Sequence, residues 1–76
     1  MEDRLKELLE NNGYSDVEFD FNDGNMYWFD AYSDAPVRVS VDVDVVEGNK
    51  ARVYDQYMGD KHFSFQGEYI LEGVIL

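Results

Sequence analysis

Val37 to Val46 reads VRVSVDVDVV, and this stretch decides the fold. Val37, Val39, Val41, Val43 and Val45 alternate with Arg38, Ser40, Asp42 and Asp44. Successive side chains of a strand point to opposite faces, so one face is all valine and the other polar. β-Branched valines suit a pleated surface and are stiff in a helix. A helical reading would scatter aspartates and valines around the whole cylinder. The stretch is therefore a half-buried strand in an antiparallel sheet with one wet face.

Two strand-like runs precede it in the chain. In SDVEFDFND, Val17, Phe19 and Phe21 alternate with Asp16, Glu18 and Asp20, which predicts an apolar face and a row of carboxylates. Asp23-Gly24 then signals a hairpin, because a type I′ turn needs positive φ at both central residues. In the next strand, MYWFDAY, either Tyr27, Phe29 and Ala31 face inward, or Met26, Trp28 and Tyr32 do. Asp30 stands with the second set, so the first is the better core, leaving Trp28 and Tyr32 beside the acids. Ser33-Asp34-Ala35-Pro36 forms a loop.

Beyond the valine strand, Glu47-Gly48-Asn49-Lys50 turns the chain into ARVYDQYM. Ala51, Val53 and Tyr57 are expected inward, with Arg52, Tyr54 and Gln56 outward; Asp55 interrupts the inward set. HFSFQGEYIL makes a fifth strand, with a bulge expected at Gly67 and Tyr69 and Leu71 continuing beyond it. The apolar tail Gly73–Leu76 is expected to pack under the helix or pair at an edge.

At the N-terminus, Leu5, Leu8 and Leu9 fall at i, i+3 and i+4, which predicts a helix over Glu2–Asn12 with one apolar stripe. Asn12-Gly13 stops it, with Gly13 in the left-handed conformation. Three leucines do not hold so short a helix in water, so it must dock on the sheet. Short connections favour pairing of sequence neighbours. The fold class is α+β: a single two-layer domain, residues 1–76, with the N-terminal helix packed on a mostly antiparallel five-stranded sheet.

Composition narrows the chemistry. The chain has 76 residues, no cysteine, one tryptophan, six tyrosines and five phenylalanines. Without disulfides or thiolate metal sites, stability must come from packing, and large aromatics bury much area per residue. The N-terminus MEDRLKELLE is charged and amphipathic, unlike a secretory leader. The absence of cysteine fits the cytoplasm, that of a bacterial host if the protein is phage-encoded. His62 is the only histidine, and no glycine-rich phosphate loop or His-Glu-x-x-His occurs. Glu18-x-Asp20-x-Asn22 has calcium-like spacing, but Gly24 is one place late for the EF-hand turn and Phe29 stands where the bidentate Glu belongs. A glycosidase pair needs a substrate cleft that so thin a domain rarely encloses. The expectation is a non-enzymatic protein with no cofactor and no metal.

Seventeen acidic residues against six Lys and Arg give a formal net charge of −11. Phosphate binding needs clustered cations, so direct contact with nucleic acid or an anionic membrane is disfavoured, and a basic partner is the complement. Residues i and i+2 on a strand face lie about 6.7 Å apart and neighbouring strands about 4.8 Å. Asp16, Glu18 and Asp20 are thus expected as one row and Asp42 and Asp44 as another, with Asp30 and Asp55 joining the field. Trp28, Tyr32 and Tyr54 would supply anchoring contacts.

Size, acidity, aromatic content and strand-borne carboxylates over residues 16–55 resemble the small acidic DNA-mimic inhibitors of phages and mobile elements, of anti-CRISPR or anti-restriction type. They are also similar in kind to acidic immunity proteins that block bacterial nuclease toxins. The resemblance rests on no sequence motif and carries no residue roles with it. It implies an inhibitor that occupies the basic nucleic-acid-binding surface of a target complex or nuclease. The alternatives are an immunity or antitoxin protein, or an interaction module with incidental acidity.

Overall fold

The computed structural model describes residues 1–34, 36–57 and 59–71. Helix α1 (Glu2–Asn11) is followed by β1 (Ser15–Asp23), β2 (Met26–Tyr32), β3 (Arg38–Val46), β4 (Lys50–Tyr57) and β5 (Ser64–Ile70). The strands form one antiparallel sheet in the order β1-β2-β3-β4-β5, a meander in which every strand pairs with its sequence neighbour. With α1 on one face, this is the two-layer α+β arrangement expected. The expectations that fall on the tail Gly73–Leu76, on Ala35 and on Met58 lie outside the described residues.

The valine strand is the middle of the sheet. Val39, Val41, Val43 and Val45 are buried, whereas Ser40, Asp42, Asp44 and Val46 on the other face are half-buried. Val37 lies before the strand and is 41% exposed. Leu5 and Leu9 of α1 are fully buried against the valine face, joined by Val17, Phe29, Ala31 and Val53. The helix ends as its sequence requires. Tyr14 N–H donates back to the Leu9 carbonyl (3.1 Å) around Gly13, whose φ of 97° is left-handed.

The first hairpin turns one residue later than expected. Asp23 pairs with Met26, so the central residues are Gly24 and Asn25, and only Gly24 has positive φ (60°). That is the φ pattern of a type II′ turn, which takes glycine first. Asn25 then clips the turn to β3: Val45 N–H donates to the Asn25 carbonyl (2.8 Å) and Asn25 Nδ2 to the Val45 carbonyl (3.0 Å).

Two bulges break the alternation of β1. Asp16 and Val17 together stand opposite Ala31, and Asp20 is an extra residue between the Phe19–Phe29 and Phe21–Trp28 pairs. Each bulge reverses the inside–outside phase. Val17 is buried as expected. Phe19 stays on the helix side with its ring edge to Phe29 (5.7 Å) and is 37% exposed. Phe21 is carried to the opposite face, contrary to its expected place in the core. β5 has a similar irregularity: Gly67 pairs with Val53 and Phe65 with Tyr54, leaving Gln66 as the extra residue beside the expected bulge glycine. Tyr69 is half-buried and Leu71 buried beyond it.

Candidate interaction face

The face opposite α1 is built by cross-strand register. Residues directly paired across antiparallel strands share a face. One row crosses all five strands: Phe21, Trp28, Asp42, Tyr54 and Phe65. The neighbouring row runs Asp23, Met26, Asp44, Arg52, Glu68, and on the other side lie Glu18, Asp30, Ser40 and Gln56. Tyr32 pairs with Arg38 at the end of the sheet. Glu18, Trp28, Asp30, Tyr32, Asp42, Asp44 and Tyr54 therefore come together as the alternation implies.

Three expected members do not join them. Asp55 lies on the helix side opposite Val41 and is 4% exposed, because the β4 alternation that puts Val53 inward also puts Asp55 inward. Both its oxygens accept hydrogen bonds: Tyr14 Oη–H donates to Oδ2 (2.7 Å) and Gln66 Nε2 to Oδ1 (2.9 Å). Burial, and then the bond to Asp55, holds the Tyr14 hydroxyl above its ordinary range, so it remains a donor. Asp55 is thus a structural carboxylate that ties the helix exit to β4 and β5. Asp16 and Asp20 are exposed on the two bulges of edge strand β1, so Asp16, Glu18 and Asp20 do not form one row. Charges and bulges on an edge strand discourage pairing with another chain.

Two aromatics missing from the expected site belong to it. Phe21 stacks on Trp28 with ring centroids 4.3 Å apart and planes at 16°, and Phe65 packs beside Tyr54 at 5.3 Å. Phe21 is 50% and Phe65 57% exposed. Regular alternation hid Phe21, because the extra residue Asp20 leaves no signature in the residue pattern. Gly67 marked the bulge beside Phe65, but not the face to which that ring belongs.

Charge on this face is paired at its flanks and unpaired at its centre. Arg38 pairs with Asp30 at 3.8 Å, and Arg52 Nε donates to Glu68 Oε1 at 3.1 Å. Arg52 lies directly opposite Asp44 yet spans to β5 instead. Among the described residues no ion pair reaches Asp42 or Asp44, and Oδ1 of each is buried without a hydrogen-bond partner. Burial first, and then the charge of Asp44, push the Asp42 carboxyl up to about 6. No group of three or more His, Cys, Asp or Glu among the described residues is placed to hold a metal ion. No helix among them is long and apolar enough to cross a membrane. Comparison with protein-family models, curated proteins and solved structures finds no match, so a reading of this face rests on its own residues.

Proposed function

We propose that the protein is a small, non-enzymatic acidic inhibitor, acting in the cytoplasm, that docks its open sheet face on the basic nucleic-acid-binding surface of a target protein or complex. The observation that carries this reading is the pair Asp42 and Asp44: two like charges on one strand face, half-buried, without an ion pair, among aromatic side chains. A fold selected only for stability has no use for such a pair, since burial and mutual repulsion both oppose it. A groove that binds a phosphate backbone supplies the missing cations and is drawn in by long-range attraction. Exposed Phe21 and Phe65, with Trp28 and Tyr54 between them, provide the apolar contact that converts attraction into a specific complex. Glu18 and Asp30 extend the acidic rim; Asp16 and Asp20 add field from the edge strand.

The test is capture from bacterial lysate on the tagged protein, at low and high salt, with and without competing DNA. Mimicry requires that a nucleic-acid-binding protein is retained, that DNA and salt release it, and that the D42N/D44N double variant retains much less of it. Capture indifferent to DNA, salt and both substitutions would sink the proposal.

A further inference from the structure

Resting on that reading, we infer that the centre of the open face is a slot for an arginine side chain of the basic partner, with Trp28 and Tyr54 as its walls and Asp42 and Asp44 as its floor. Two features of the face point to a guanidinium rather than to positive charge in general, and a third leaves the place open to it.

The first is spacing. Trp28 on β2 and Tyr54 on β4 flank Asp42 in one cross-strand row, so their Cα atoms lie two strand spacings apart, about 9.6 Å. Each ring has its partner on the far side, Trp28 with Phe21 and Tyr54 with Phe65. Asp42, which has no ring of its own, stands in the row between the two ring pairs. A flat group held between two rings needs about 7 Å, twice an ordinary carbon–carbon contact. A guanidinium is flat and stacks on aromatic faces, whereas an ammonium is a compact, strongly hydrated point charge.

The second is the floor. Asp42 and Asp44 stand two residues apart on one face of β3, half-buried and each with an unpartnered carboxylate oxygen, and a guanidinium fork offers up to five donors in one plane to such acceptors. The third is that, among the described residues, no ion pair reaches the floor. Arg52 is held by Glu68 and Arg38 by Asp30, each to the side of the slot. An incoming arginine displaces no internal ion pair.

The chain has one tryptophan, and it is a wall of the slot, so its fluorescence reports occupancy directly. The experiment titrates the intact protein with ten-residue all-arginine and all-lysine peptides of equal charge, at low salt, following Trp28 emission. The expected result is about ten-fold tighter binding of the arginine peptide, with a Trp28 signal. Tyr54→Ala removes a wall but no charge, and should reduce the ratio toward one while lysine-peptide binding holds. The D42N/D44N double variant should weaken both peptides and abolish the preference, with circular dichroism checking that each variant is folded. Equal affinities for the two peptides in the wild type, or a preference that survives Tyr54→Ala, would overturn the arginine slot and leave the acidic-face reading standing. Failure of both peptides to bind would remove both.

Discussion

Replacing Asp42 by Asn should stabilise the protein at neutral pH and do nothing at low pH. The Asp42 carboxyl is raised from the ordinary 3.8 to about 6, by burial first, then by the charge of Asp44. Trp28 faces it from β2 and Tyr54 from β4, with Arg52 opposite Asp44 and bound to Glu68; Asp23 and Glu68 lie one strand further out. The folded protein therefore holds this proton more tightly than the unfolded chain. Stability linked to it is complete below about pH 4 and is lost as pH rises through about 6. A shift of about two units corresponds to at most about 3 kcal/mol. The side chain is only half-buried and solvent screens the interaction, which reduces the figure to about 1 kcal/mol. Asn keeps the shape and cannot ionise. For a domain of this size about 1 kcal/mol raises Tm by roughly 4–8 °C. Thermal unfolding of wild type and D42N at about pH 7.5 and about pH 4, followed by circular dichroism, measures the difference. A gain of the same size at both pH values would refute the reasoning, as would a loss at pH 7.5.

Other substitutions test the remaining structure. Tyr14→Phe removes the hydroxyl that donates to buried Asp55 and should cost about 1–3 kcal/mol in urea unfolding, whereas the same change at Tyr54 on the open face should cost less. Leu9→Ala empties a fully buried site between helix and sheet and should cost about 2–5 kcal/mol, read by the same assay; a cost below about 1 kcal/mol would mean that α1 contributes little to the core.

Much of this architecture is legible in the residues because period and burial are directly coupled. A period-2 valine run has only one way to hide its valines, which makes β3 a central strand and leaves Asp42 and Asp44 on the far face. The same logic places Tyr27, Phe29 and Ala31 inward and Trp28, Asp30 and Tyr32 outward, and the leucine stripe of α1 needs that valine face to cover it. Gly13 ends the helix because positive φ is easy only there.

What residue pattern alone left undecided is what long-range pairing decides. An extra residue in a strand shifts every later side chain to the other face, yet Asp20 looks like any aspartate until its lack of a partner on β2 is known. Phe21 thereby left the expected core and became an exposed ring stacked on Trp28. Asp55 shows the converse: its phase was visible, but its satisfaction was not, since Tyr14 and Gln66 come from 41 and 11 residues away. The fold thus follows from local periodicity. The composition of the open face, with its aromatic row and its unpaired aspartates, follows from cross-strand register and from where Arg38 and Arg52 find their partners, which only the assembled sheet determines.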